Sequence, residues 1–582
     1  MGRADADFAK AAPMTIGISR ATALIAFAIA IVILAQGISA PFVKDAEPQA
    51  AQWIQDVADG RGLLIPRDYY GELERKPPLF YWTAGALVAM SGGRVDEVTA
   101  RVASTAAGAI VAIVVLIWVA TFLDIASGWI SFLFLLGSYA FTSRGTLALE
   151  DMMMVAFMFG AWCMLYPTIE EGPSRGTVIA IGVALGLGIL TKGPVAIVIP
   201  AFGALIYLLM TRRSIAAQIR QPWPWIVAAI AIAIALPWYV PALLAHGGEV
   251  SRIIVQENAG HFLPASAGGT GEAARPFYFI ALKMIGGVTP LNFFFPALAA
   301  AFVIGGFISE ARRPLLFQLS FVLAIVIFFS LASAKRDDYV LPAVPSLGIL
   351  FATLFTSLRS DSNLIARRLR DTAAVIVALV AVAAIADLTL AGGSEILMRN
   401  INPIDLAAVG VCLGYARTLN LGFVAAAVAI VSGAGLISYG VLRKEPAKTA
   451  IGLAAISIVG VVTFTAVIRP ELCRMRTLKF AAADINKIVG SKPIYAVNEE
   501  SELSFYLGHA VSQIILERGA IRSVDAASYL FAYPGDLARI GGALQSRLKQ
   551  VAQWNRLGKA GPPALYQIAP LDSLKPATPT DK

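Results

Sequence analysis

Charge is scarce in this 582-residue chain: Asp, Glu, Lys and Arg together make up only 15% of it. Three cysteines and three histidines leave little room for metal or disulfide chemistry. Cys163 and Cys412 lie in or beside apolar runs and Cys473 stands alone after the last run, so no CxxC, no Cys/His zinc spacing and no disulfide framework is present, and all three are read as free thiols. No internal repeat of fixed period appears. The net charge is +9, but the basic residues are scattered and never form the aromatic-interleaved face that a nucleic-acid groove needs. What is abundant is apolar: 57% hydrophobic residues and a mean hydropathy of +0.71. That composition excludes a large soluble enzyme and implies a polytopic α-helical membrane protein.

A spanning helix needs about 20 apolar residues. Thirteen runs qualify: 18–40, 98–122, 126–145, 150–169, 175–191, 193–211, 222–245, 288–308, 315–334, 338–358, 371–390, 420–442 and 449–469. The first exceeds the ~7–15 residues of a signal-peptide core and is expected to be a retained helix. Shorter apolar pieces at 79–91 and 276–287 are expected at the interface or as re-entrant segments. Four short linkers are basic: Arg212, Arg213 and Arg220; Arg312 and Arg313; Arg359, Arg367, Arg368 and Arg370; and Arg443, Lys444 and Lys448. Placing all four in the cytoplasm demands an even number of spans between successive pairs, which the thirteen runs satisfy with the N-terminus inside. The same count puts 41–97, 146–150, 191–193, 246–275 and 335–338 on the outer side.

Composition changes near residue 471. Residues 1–470 form the expected transmembrane domain, with 41–97 as an outer loop carrying interfacial helices. Residues 471–582 are expected as a small extracytoplasmic α/β domain. Within it "KPIYAV", "VSQIIL", "SYLFAY", "LKQVAQW" and "PALYQIA" read as strands, and "ESELSFYLG" and "GDLARIGGALQSRL" as helices. This tail has neither a glycine-rich phosphate loop nor a triad pattern.

Polar residues concentrate in the outer segments. Asp45 and Glu47 follow the first run; each is either a solvated helix cap or a group that orients or deprotonates an acceptor. Glu150 and Asp151 stand at the start of the fourth run, where an acid either complements the helix dipole or answers a partner. Lys192 sits in a hairpin whose turn needs Gly193 and Pro194 but not the lysine; it either snorkels or binds. Lys335 and Arg336 can hold a phosphate, or pair with Asp337 and Asp338. Glu257, Asn258 and His261 lie in the middle outer loop, and His261 has no second histidine at ligand spacing. In "GELERKPPLFYW", Pro77 and Pro78 prevent a helix from starting before Phe80, Tyr81 and Trp82, which suit headgroup depth. Arg75 and Lys76 are then held at that depth, suited to an anionic head on a lipid tail or to ordinary interfacial anchoring.

Taken in order, "IPRDYYGELERKPPLFYW", "LEDMMM", "LTKGPVA", "LPWYV", "ENAGHFL" and "SAKRDDYVLPAVP" resemble the bacterial polyprenyl-phosphate-sugar glycosyltransferases of the aminoarabinose transferase and protein O-mannosyltransferase group, over about residues 18–350. The resemblance implies a GT-C fold. It assigns the first-loop acid to Asp45 or Glu47, although the family's adjacent Asp-Glu pair reads Asp-Ala-Glu here. It assigns the second acid to Asp151. The family's Glu-Lys-Pro-Pro falls on Arg75 to Pro78, with Arg in place of Glu. It assigns substrate contacts to Arg75, Lys76, Tyr81, Lys192, His261, Lys335, Arg336 and Tyr339. It implies inverting transfer of one sugar from an undecaprenyl phosphate donor to lipid A, another envelope glycolipid or a protein hydroxyl, at the outer face of the bacterial inner membrane, with no nucleic-acid partner. No cofactor is required, although a divalent metal at Asp45 and Asp151 is allowed. A lipid or solute transporter is the rival from another class; few charges lie deep in the spans, which weighs against it.

Overall fold

The computed structural model describes residues 18–569 apart from 44–45, 257–274, 306, 308, 359–362, 392–402, 419, 515, 518–519, 522–527, 541 and 558–560. The expected Asp45 and the Glu257–His261 segment lie outside the described residues.

The chain is predominantly helical, with a small sheet near its C-terminal end. Among the described residues, nine helices are long and apolar enough to cross a membrane, or up to eleven if each of two bent pairs is one span. The expected count of thirteen is therefore not confirmed among the described residues. Arg20–Leu34 and Val195–Met210 are 15 and 16 residues long, so each rises only ~23–24 Å against a hydrocarbon core of about 30 Å. The run at 126–145 breaks by 65° between Leu136 and Tyr139, and Phe279–Gly287 meets Leu291–Ile304 at 114°. An apolar run thus records burial, not straightness. The helix Pro403–Arg417 lies in a stretch that the hydropathy reading left without a span.

Local chemistry sets the helix ends. Asp96 and Thr99 close a capping box on Glu97–Phe122, and Ser174 and Thr177 close one on Arg175–Lys192. The latter ends at Gly193, whose φ of 94° an L side chain rarely adopts, and Pro194 opens the next helix. Small residues let helices approach: a Cβ on Gly182 or Gly186 would meet Ile230 or Ile234 at 2.8 Å. Trp162 stacks on Phe317 at 3.8 Å between two further helices.

The helix Asp151–Glu170 shows how the two ends of the bundle differ. Its 20 residues separate Asp151 from Glu170 by about 30 Å. Glu170 accepts hydrogen bonds from Tyr207 at 2.7 Å, Arg213 at 2.8 Å and Arg313 at 3.1 Å. Two of the four basic linkers therefore meet at one end of this helix, and the second acid pair stands at the other.

Near the C-terminus, strands β1 (Ile494–Ala496), β2 (Ser512–Gln513), β3 (Tyr529–Ala532), β4 (Leu548–Gln553) and β5 (Ala564–Ile568) form one sheet in the order β2-β1-β3-β5-β4. The β1 strand is parallel to both neighbours, while β5 is antiparallel to β3 and β4. Each strand lies within a segment expected to be one. The sheet unit packs on the first loop: Gln52 donates to the Ser501 carbonyl, the Tyr70 and Ser504 hydroxyls bond at 2.8 Å, and Lys479 pairs with Glu97 at 2.7 Å.

Candidate active site

The first loop folds back on itself before reaching its basic pair. Asp68 accepts from the Tyr70 and Glu72 amides, Arg67 and Leu73 form an antiparallel bridge, and the Glu74 amide bonds to the Pro66 carbonyl. Two tryptophans pin the loop: Trp82 donates to the Leu63 carbonyl at 2.7 Å, and Trp238 to that of Leu64 at 2.6 Å. Such amphipathic rings hold a polar backbone against an apolar wall. Arg75 and Lys76 are thereby presented at the start of the helix Leu79–Ser91.

These two cations line a cavity of about 1200 Å³, counted out to its open mouth. Asp151, Lys192, Arg336, Asp338 and Tyr339 share the same cavity. Its walls are otherwise apolar, with Met154, Met158, Val198, Ile199, Phe328 and Phe329 beside Trp238 and Tyr239. Segments far apart in the chain, each counted to the outer face from the charge pattern or directly adjoining such a segment, thus converge on one space.

Within it, Lys192 forms an ion pair with Asp151 and lies 3.4 Å from Glu150. Arg336 lies 3.6 Å from Asp338. Tyr339 stacks on Phe329 with ring centroids 4.4 Å apart. Behind the Arg75–Lys76 turn, Glu74 is 5% exposed. Its Oε1 accepts the Lys76 amide at 2.7 Å, and its Oε2 is buried without a hydrogen-bond partner among the described residues. Burial, reinforced by the Glu150 carboxylate, pushes the Glu74 carboxyl up to about 8.

Other expected residues lie elsewhere. Glu47 is engaged by Arg101 through both oxygens at 2.8 and 2.9 Å, and its Oε1 also accepts the Ala148 amide at 2.9 Å. Burial opposes its ionisation, but the Arg101 guanidinium outweighs burial and holds the carboxyl below its usual range. Arg101, wholly buried, also donates to the Ile38 carbonyl at 2.8 Å and covers the Phe42 ring. Tyr81 is 1% exposed and packs edge-on against Phe80 and Trp53. Lys335 does not line the cavity; it donates to the Arg275 and Ala332 carbonyls, and burial lowers its pKa. Among the described residues no three His, Cys, Asp or Glu side chains gather to hold a metal ion, and Asp151 already faces Lys192.

Sequence reading missed Arg101, Glu74 as a buried group, and the pocket roles of Asp338, Trp238 and Tyr239. Trp238 and Tyr239 stood within a quoted motif. Arg101 gave a usable signal, being an arginine just inside an apolar run, where an unpaired charge is costly.

Comparison with known proteins supports the fold. The family model described as dolichyl-phosphate-mannose-protein mannosyltransferase matches residues 75–240. The undecaprenyl phosphate-alpha-4-amino-4-deoxy-L-arabinose arabinosyl transferase of Serratia proteamaculans is 26% identical over 214 residues, 36% of this chain and 37% of that protein. The Yersinia enterocolitica protein of the same name is 26% identical over 244 residues, 41% and 42% of the two chains. The matched region thus spans about two-fifths of the length of these curated relatives. Crystal structures of ArnT from Cupriavidus metallidurans superpose over 94% of this chain and 98% of theirs, with TM-scores of 0.70 for the apo state at 20% identity and 0.68 for the undecaprenyl phosphate-bound state at 19%. The architecture is a GT-C fold.

Proposed function

We propose that this GT-C chain is an inverting glycosyltransferase that moves a single sugar from a polyprenyl phosphate, taken as undecaprenyl phosphate, to lipid A or another envelope glycolipid. The observation that carries this reading is the cavity in which four cations meet a wall of methionine and aromatic side chains. A lipid-linked phosphate is the ligand that matches both halves. The similarity to undecaprenyl phosphate-dependent transferases points the same way. The cavity is read as facing the periplasm, with the sheet unit at 471–582 on that side and the N-terminus in the cytoplasm.

In the proposed step, Arg75, Lys76, Lys192 and Arg336 hold the donor phosphate, and Tyr339 borders it. An acceptor hydroxyl attacks the anomeric carbon as the bond from that carbon to the phosphate oxygen breaks. The bonding electrons pass to the phosphate, where the cations stabilise the growing charge. The hydroxyl proton goes to a carboxylate. That role falls to Asp45 rather than Glu47, because both Glu47 oxygens are engaged by Arg101. Asp151 orders the Lys192 end of the site. Lys335 and Tyr81 act by shaping the wall, and His261 contributes from the middle outer loop.

A second acceptor class, protein hydroxyls, is favoured by the family match at residues 75–240. Mass spectrometry of lipid A and of envelope proteins, with and without the gene, separates the two. Sugar transfer from a polyprenyl-phosphate donor tests the enzyme itself. Lys76→Ala and Asp151→Ala are each expected to lower kcat/KM by about a hundredfold or more. Normal turnover in both would remove the site.

A further inference from the structure

Two adjacent aspartates open the short helix Asp337–Ala343 and are used differently. Asp337 is half exposed and pairs with Lys283 at 2.9 Å. Asp338 has a side chain only 5% exposed, and it lines the cavity together with Lys192, Arg336 and Tyr339. Its Oδ1 is enclosed without a hydrogen-bond partner among the described residues. The Arg336 Nε stands 3.6 Å from that oxygen, an attraction of charges too long to be a hydrogen bond. Positive charge is thus at hand, and what the carboxylate lacks is an N–H or O–H donor. A buried carboxylate left in that state is destabilising. It also stands among the residues read above as holding a phosphate, where a second anion opposes binding. One kind of ligand group offsets both effects: a hydrogen-bond donor carried next to the phosphate. The sugar of a polyprenyl-phosphate sugar is joined to its phosphate through a single oxygen, and it carries such donors. The two carboxylate oxygens exchange by rotation about one soft bond, so a donor entering the cavity can meet either.

We infer that Asp338 is a sugar-contact residue: its carboxylate accepts a hydrogen bond from a hydroxyl or ammonium group of the sugar on the donor lipid, and so distinguishes a sugar-loaded lipid from a bare one. The inference rests on the phosphate-binding reading above.

The test is calorimetric titration of the detergent-solubilised full chain with two kinds of phosphodiester. One is a short polyprenyl methyl phosphate, which has no sugar. The other is the same lipid with mannose or 4-amino-4-deoxy-arabinose in place of the methyl group. Wild type is expected to prefer a sugar-bearing lipid by about tenfold or more, and Asp338→Ala to reduce that preference by about tenfold. A larger fall with the amino sugar identifies an ammonium donor, and a larger fall with mannose a hydroxyl. Asp338→Asn keeps one oxygen acceptor and is expected to lose about threefold; it is the deciding variant if thermal unfolding shows that Asp338→Ala does not fold. Equal weakening of both kinds of lipid assigns Asp338 to the support of Arg336, and an unchanged preference with slowed sugar transfer assigns it to the acceptor; either overturns the inference. So does a wild type without sugar preference, or failure of both variants to fold, and each of these leaves phosphate binding by wild type intact. If wild type binds none of these lipids, the phosphate-binding reading falls and this inference with it.

Discussion

Two ion pairs, the buried Glu47–Arg101 and the half-buried Asp151–Lys192, differ in what surrounds them. Glu47 has both oxygens satisfied by Arg101 and a third bond from the Ala148 amide, while Arg101 spends further donors on carbonyls 38 and 40. Together they tie the helix Ala46–Ala58 to Glu97–Phe122 and to the segment that delivers Glu150 and Asp151. Both Glu47 oxygens are thus committed to the scaffold among the described residues. Lys192 and Asp151, by contrast, border an open cavity, and the ammonium divides itself between two acids. A fully satisfied buried pair builds scaffold; a shared pair at a cavity wall can exchange its partner for a ligand.

The comparison can be broken most forcefully at Arg101. Arg101→Ala leaves Glu47 buried and uncompensated, and should cost about 3–5 kcal/mol of stability. Thermal unfolding in detergent measures it, and the paired replacement Glu47→Met with Arg101→Met should recover much of the loss. The next effect is functional. Lys192→Ala should lower kcat/KM for sugar transfer by about a hundredfold with a much smaller fall in unfolding temperature than Arg101→Ala, and a reversed ranking of the two variants would erase the distinction. The smallest effect is expected at Lys335, which does not itself line the cavity and whose ammonium is held by the Arg275 and Ala332 carbonyls. Lys335→Ala should change kcat/KM by less than about tenfold. A loss as deep as that of Lys192→Ala would place Lys335 among the phosphate ligands after all.

Much of this site was readable in one dimension. The motifs around Lys76, Asp151, Lys192 and Arg336 were singled out because polar groups are rare and costly beside apolar runs, and these four do line one cavity. The strands of the C-terminal sheet were legible because period-two patterning and turn residues are local signals. The roles of Glu47 and Lys335 were not legible. Glu47 is decided by Arg101, 54 residues away, and Lys335 by carbonyls at 275 and 332. Span counting also stood above the nine to eleven candidate spans among the described residues, since hydropathy records neither the 65° and 114° bends nor the short helical lengths of Arg20–Leu34 and Val195–Met210.

Composition alone determined that this chain enters a bilayer, since so much apolar surface has no other solvent, and the placement of its few charges marked where chemistry could occur. Tertiary packing alone decided which charges are spent on one another and which face open space. The reason is physical: desolvation and ion pairing depend on distance and burial in three dimensions, and neither is encoded in spacing along the chain.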